Sequence, residues 1–433
     1  MDRPALILLL VYAAIVFSSL GLTPLWLDEV VQLDIARRGN FDELLRGVQV
    51  NAGASPLPYL VQHAVVQWFG HSTFAARFPA ALCSLLSGVV FAALVQRIPD
   101  RRRWVALLLF LALPVQFRYG LEARVYSQGL LFSLLTLWLF LRLKEHSWFG
   151  GAVLYALAVA AGLYSQPLTV FPVLAQLVLA RPAAIVSAGL GVASYLPWYV
   201  AQHRVQAEYA LTAPPTSFFS LKQMHPLTLI HDLAGDGYVC SVALIILVAW
   251  ALGTSSKSRL LYCTLAFSLV GPIAMDAVFN YFYAPRQLLF AAPALVLLAA
   301  QGFERLRADL HGLIAWSLLA AFFIAACVTN YRQAVIPRDS LARTADAIAA
   351  RLRPGVCVMA VPKGHIAFYS FFHPELQGRA CPDHSSTREI VAAVSVYTTP
   401  DERRAFEDSI SASYEPRETV RVGQSEITTY VPR

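Results

Sequence analysis

The feature that most constrains this chain is a series of uncharged apolar stretches, each about the length of a membrane crossing. Residues 4–22 carry no charge and match the roughly 20 residues a helix needs to span hydrocarbon. Further stretches lie near 74–96, 104–117, 126–143, 148–164, 168–180, 183–200, 237–253, 260–279, 287–303 and 311–329. Together they predict about eleven spans. Hydrophobic residues make up 57% of the sequence and charged residues 14%, against roughly 25% charged in soluble domains. Water cannot be the solvent for most of such a chain. Intrinsic disorder, collagen-like repeats and a disulfide-dense secreted scaffold are excluded by the same composition. The first stretch exceeds the usual apolar core of a cleaved signal of about 7–15 residues, and only Arg3 precedes it, so it reads as a retained anchor.

The positive charge sits in the short loops. Numbering the loops alternately from the inside, the inside set holds Arg3, Arg97, Arg101, Arg102, Arg103, Arg142, Lys144, Arg181, Lys257, Arg259, Arg305 and Arg307. Basic residues mark the cytoplasmic side, which predicts a multi-pass inner-membrane protein with a cytoplasmic N-terminus. The net charge of +7 is accounted for by these loops, and nucleic acid is not expected as a partner.

The domain division is expected at residue 330. Residues 1–330 form the transmembrane domain, with a first outer loop (23–73) carrying two juxtamembrane helices. Residues 331–433 are rich in charge, with helical patterns near 339–352 and 400–410 and strand-like runs at Val356–Val361, Glu418–Val422 and Ile427–Val431. They predict a small extracytoplasmic α/β domain. Cys357 and Cys381 both fall within it; a disulfide in an oxidising compartment and two separate thiols are both compatible with the sequence.

Ionisable groups at a membrane boundary are costly to place, so their positions are informative. Three segments stand out on the outer side. The first is Trp26-Leu27-Asp28-Glu29, directly after the first span, followed by a second loop helix expected to be capped by Asn40 with Glu43 three residues on. Asp28 and Glu29 are also the carboxylates that the first turn of a helix over 28–38 would favour. The second is Arg118-Tyr119-Gly120-Leu121-Glu122-Ala123-Arg124-Val125-Tyr126, in a very short loop. An i,i+4 pair accounts for Arg118 and Glu122 but leaves Arg124, whose guanidinium suits a phosphate. The third is Asn280-Tyr281-Phe282-Tyr283-Ala284-Pro285-Arg286-Gln287; here an interfacial aromatic belt with a snorkelling arginine is the plainer reading. Taken together, a carboxylate able to act as base and two arginines able to hold an anion share one face of the bilayer.

In order and topology these segments resemble the membrane glycosyltransferases of the GT-C superfamily, nearest the protein O-mannosyltransferase and lipid A aminoarabinose transferase group. That group has an Asp-Glu pair after its first span, matched by Asp28-Glu29. Its PPLYY-like stretch resembles Ser55-Pro56-Leu57-Pro58-Tyr59-Leu60, with Ser55 where many relatives have His or Lys. Its SEFALRLPSAL-like stretch is similar to Ser72-Thr73-Phe74-Ala75-Ala76-Arg77-Phe78-Pro79-Ala80-Ala81-Leu82. QEARMY resembles Leu121–Tyr126, and RYLLPALPAL resembles Arg286–Leu295, with Gln287 in place of a common tyrosine. The resemblance covers residues 1–330. It implies a GT-C fold and an inverting transfer of a monosaccharide from a polyprenyl-phosphate donor to a glycan, lipid or protein acceptor on the outer face. Asp28 would be the general base, Arg124, Arg286 and Tyr126 would hold the donor phosphate, and Glu29 and Glu122 would orient partners or read sugar hydroxyls. No cofactor is required by this resemblance; His231-Asp232 with Asp236 is the one candidate for a divalent ion, and its spacing fits no ligand pattern.

Two other readings fit a multi-span chain. An O-antigen ligase or polymerase would place its chemistry in one large late loop, whereas here the acidic pair follows the first span. A lipid or solute transporter would carry mid-bilayer charges and internal repeats; Asp276 is the only acidic residue deep in an expected span, and no repeat is present.

Overall fold

The computed structural model describes residues 3–51, 53–96, 100–146, 148–212, 226–235, 237–252, 259–279, 285–309, 312–381 and 389–433. Arg97, His225, Asp236, Lys257, Tyr281 and Tyr283 lie outside them, as do the side chains of Arg101, Asp276 and Gln287. The chain divides into two compact units, one of Met1–Leu22 with Ile35–Val335 and one of Thr23–Asp34 with Ile336–Arg433.

The first unit is helical. Its elements are α1 (Arg3–Ser19), the last two residues of α2 (Leu27–Ala36), α3 (Phe41–Val50), α4 (Pro56–Phe69), α5 (Thr73–Val95), α6 (Asp100–Ala112), α7 (Pro114–Gly120), α8 (Tyr126–Glu145), α9 (Phe149–Ser165), α10 (Val170–Leu177), α11 (Pro182–Thr212), α12 (Pro226–Leu233), α13 (Tyr238–Ala251), α14 (Arg259–Phe279), α15 (Ala292–Asp309) and α16 (Gly312–Val335). Among the described residues five helices are long and apolar enough to cross a membrane: Thr73–Val95, Tyr126–Glu145, Pro182–Glu208, Leu289–Asp309 and Gly312–Val335. Five more apolar helices are shorter: Arg3–Ser19, Phe149–Ser165, Pro167–Leu177, Tyr238–Ala251 and Arg259–Met275. Each corresponds to an expected span. The remaining expected span, 104–117, is broken. Leu113 is extended (φ −60°, ψ 120°) and Pro114 restarts the chain as α7, because a residue before proline is driven out of the helical region and proline offers no N–H. The amide of Val115 donates instead to Ala234 O at 2.8 Å.

Close backbone approach sets the helix packing. A Cβ on Gly302 would collide with the Leu247 carbonyl, so α15 and α13 pack through a residue with no side chain. The guanidinium of the buried Arg77 on α5 donates to Leu20 O at 3.0 Å, satisfying a carbonyl left open beyond the end of α1. In the first outer loop, Asn40 caps α3, its side chain accepting from the Asp42 amide at 2.9 Å. Ser55, fully buried, donates to Leu163 O at 3.0 Å.

The second unit is a four-stranded sheet with helices. Its strands are β1 (Cys357–Val361), β2 (Ile390–Val394), β3 (Tyr414–Val422) and β4 (Ser425–Pro432), in the order β1-β2-β4-β3. β1 and β2 are parallel; β2–β4 and β4–β3 are antiparallel, with a bulge between Pro416 and Glu418. The helices are α17 (Leu341–Ala349), α18 (His365–Phe372) and α19 (Pro400–Ser411). α19 begins with a capping box between Thr399 and Glu402. β2 and α18 add to the elements the sequence predicted. β2, Ile-Val-Ala-Ala-Val, lies between two strands and is buried along nearly its whole length, so it shows no polar–apolar alternation to mark it as a strand. Phe406 and Ile410 of α19 pack with Cys357, Met359, Ile390 and Ala392 beneath the sheet. Cys357 and Cys381 form a disulfide across a separation of 24 residues.

His365 at the start of α18 is 8% exposed, its ring against Phe368, Tyr369 and Tyr397. Burial pushes its pKa down to about 4, opposed by the charge of Glu402. The imidazole is therefore neutral in the fold and takes up a proton on unfolding below its ordinary value of 6.5. This term stabilises fully above that value and is lost as the pH falls toward the folded pKa, a change of about 3 kcal/mol. The protection factors of the β1 and β2 amides, measured in the full chain between pH 7 and 4 and corrected for the intrinsic exchange rate, are expected to fall more steeply in the wild type than in His365→Phe. Equal slopes would remove His365 as the cause.

Candidate active site

One cluster of candidate residues, in the first unit, is built where α7 ends and α8 begins. Gly120 closes α7 against α5; a Cβ there would stand 2.7 Å from Ser84 Oγ. The chain then bends through residues 121–125. Within the bend the Arg124 amide donates to Glu122 O at 2.6 Å, and Ser127 Oγ donates to Tyr119 O at 2.6 Å. These bonds hold the backbone that carries Glu122, Arg124 and Tyr126. Arg118 and Glu122 form the i,i+4 pair, at 3.8 Å. Arg124 faces the Tyr126 ring, its Cζ 6.0 Å from the centroid.

Arg286 comes from a short 3-10 turn, Pro285–Ala291. Its Cζ lies 5.6 Å from the same Tyr126 ring. The structure thus brings Arg124, Arg286 and Tyr126 together from segments far apart in sequence. The close approach depends on Gly129, one turn into α8. A Cβ there would meet the Phe290 ring at 3.0 Å and Gln166 at 3.1 Å, and Phe290 belongs to the same turn as Arg286. A ring can attract a cation at this range, but two guanidiniums around one ring also repel each other. An anion between them relieves that repulsion and accepts from both.

A second cluster, described by itself, lies in the second unit. Trp26 precedes the first turn of α2, and the carboxylate of Glu29 accepts the Trp26 amide at 3.1 Å. Glu29 has no exposed surface. Asp28, on the same turn, is partly exposed. Two residues the sequence did not single out belong to this cluster. Asp339 Oδ2 accepts the Leu27 amide at 2.9 Å, and its Oδ1 accepts the Leu341 amide at 3.0 Å. The Arg338 guanidinium lies over the Trp26 ring at 3.7 Å. Burial raises the pKa of Asp339, opposed by the two amides and by Arg338. Tyr397 belongs to the same neighbourhood: burial, then the charges of Asp339 and Asp28, push its hydroxyl up to about 12. No short motif marks Arg338 or Asp339, because their partners beside α2, Trp26 and Leu27, are 312 residues away in the chain.

His231 Nδ1 and Asp232 Oδ1 are hydrogen-bonded to each other at 2.7 Å, Asp236 lies outside the described residues, and among the described residues no group of three or more His, Cys, Asp or Glu is placed to hold an ion.

Residues 53–206 match the model of the dolichyl-phosphate-mannose-protein mannosyltransferase family. That segment contains Arg124 and Tyr126 but neither Asp28 nor Arg286. The whole chain is similar in fold to ArnT from Cupriavidus metallidurans. For the apo crystal structure the TM-score is 0.62 at 14% identity, covering 98% of this chain and 97% of that one. For the crystal structure bound to undecaprenyl phosphate it is 0.59 at 16% identity, with the same coverage. The mycobacterial arabinofuranosyltransferase AftD, determined by cryo-EM, aligns with a TM-score of 0.50 at 16% identity over 84% of this chain and 30% of that one. No curated protein matches the sequence.

Proposed function

We propose, from the GT-C fold of this multi-pass membrane protein and from the pair of guanidiniums on Tyr126, that the chain is an inverting glycosyltransferase. It moves a monosaccharide from a polyprenyl-phosphate donor to an acceptor hydroxyl on the outer face of the inner membrane. The observation that carries this reading is the convergence of Arg124 and Arg286 on one buried tyrosine ring. The crystal structure of ArnT with undecaprenyl phosphate supports the class of donor.

In this reaction Asp28 removes the proton of the acceptor hydroxyl as that oxygen attacks the anomeric carbon. The new carbon–oxygen bond forms as the bond from that carbon to the phosphate oxygen breaks, and the configuration inverts. The leaving polyprenyl phosphate gains a negative charge, which Arg124 and Arg286 neutralise. Tyr126 carries the two guanidiniums, Glu29 holds the turn of Asp28, and Glu122 with Arg118 fixes the bend that aims Arg124. The two guanidiniums supply the positive charge the leaving group needs, so no metal is assigned a part. The N-terminus is cytoplasmic and the sheet-containing tail faces the outside.

The test is direct. Purified protein in liposomes is incubated with a panel of polyprenyl-phosphate monosaccharides and an envelope lipid and glycan extract, with and without chelator, and examined by mass spectrometry. One donor is expected to lose its sugar to a component of the extract, equally with and without chelator. No consumption of any donor on the panel would overturn the reading.

The approach at Gly129 gives a second expectation. Gly129→Val places methyl groups against Phe290 and shifts the turn that carries Arg286, without touching a reacting group. The donor KM is expected to rise by about tenfold, the equivalent of about 1.4 kcal/mol. An unchanged KM in a folded variant would show that this contact does not place Arg286.

A further inference from the structure

The first turn of α2 has an amide that its own sequence cannot satisfy. The opening N–H groups of a helix lack partners within it and are met by a side-chain acceptor just before the first turn. Trp26 stands at that position, and an indole has no acceptor to offer. Glu29 is already bonded to the Trp26 amide. The Leu27 amide, immediately before Asp28, is met instead by Asp339 at 2.9 Å.

Asp339 does more than close one bond. Its second oxygen accepts the Leu341 amide at 3.0 Å, so one carboxylate joins the starts of α2 and α17. The preceding residue, Arg338, covers the Trp26 ring at 3.7 Å. Two consecutive residues therefore fix the backbone of Leu27 and the ring of Trp26, the two neighbours before Asp28. With these held and Glu29 bonded behind, the direction of the Asp28 side chain is set by the helix geometry. A small displacement of a reacting group is enough to slow a transfer greatly.

We infer that Asp339, assisted by Arg338, is a positioning residue that holds the base-bearing turn of α2 in its working orientation, which makes the C-terminal unit part of the catalytic apparatus. This rests on the reading of Asp28 as base. Asp339 touches no substrate in this scheme; it acts through the Leu27 amide.

The experiment compares Asp339→Ala, Asp339→Asn and Asp28→Asn in the full chain, using steady-state transfer together with hydrogen exchange of the peptide covering 23–34. Asp339→Ala is expected to lower kcat by about tenfold or more, leave the donor KM within about twofold, and speed exchange at Leu27. Asp339→Asn keeps an acceptor for one amide and is expected to retain more of the kcat, which loss of packing alone would not explain. It also serves if the alanine variant fails to fold. Wild-type kcat in Asp339→Ala beside an inactive Asp28→Asn would overturn the inference alone. So would unaltered exchange at Leu27. Full activity in Asp28→Asn would remove the base itself, and the inference with it.

Discussion

Asp28→Asn is expected to abolish transfer while expression, the Cys357–Cys381 disulfide and the packing of the second unit remain those of the wild type. The amide keeps the shape of the carboxylate but cannot accept the acceptor's proton at neutral pH. General bases contribute roughly 10²–10⁴-fold to a rate, so activity is expected to fall by at least about 10²-fold. The helix start should tolerate the change. Two of its structural bonds are made by Glu29 and Asp339, and neither changes in this variant. The measurement is kcat in liposomes with the donor saturating, beside a thermal unfolding curve. A variant that transfers sugar at the wild-type rate would leave the site without its base.

The second large effect concerns the two guanidiniums. Arg124→Ala and Arg286→Ala each remove one charge-assisted contact, worth about 1.5–3 kcal/mol. Each is expected to lower kcat/KM for the donor by about 10–100-fold. Because both groups face the same anion, the effects should not add; the double variant is expected to lose less than the product of the two single losses. Part of the loss should appear in kcat, since the leaving phosphate carries more charge than the bound donor. A lysine at either position should restore part of the binding and less of the rate, since a point charge cannot reproduce the planar fork. Kinetics unchanged by either alanine would separate these arginines from the donor.

Much of this architecture was legible in the sequence, and the reason differs from element to element. Apolar stretches between basic loops report the spans because lipid imposes one length and one composition on every crossing. Asn40 could be read as a cap because capping is settled within a few residues. Arg124, Tyr126 and Arg286 stood out because charge at a membrane boundary needs a reason; the packing that groups them did not. Nothing in Gly129 announces Phe290, and a lone glycine on a helix has several uses. The break at Pro114 was written in the chain, but the apolar run on both sides outweighed it. β2 was hidden because a strand buried on both faces loses the alternation that identifies strands. The bond from Asp339 to Leu27 spans 312 residues, and no local pattern encodes an acceptor supplied from that far away.

The grouping of Thr23–Asp34 with Ile336–Arg433 has a consequence for biosynthesis. The turn bearing Asp28 leaves the ribosome well before Asp339, which lies 312 residues beyond Leu27 and completes its hydrogen bonds. Contacts of such sequence separation form late, after the intervening chain has been ordered. A nascent polypeptide that has not yet reached Arg338 and Asp339 therefore carries the first turn of α2 with the Leu27 amide unmet and the Trp26 ring uncovered.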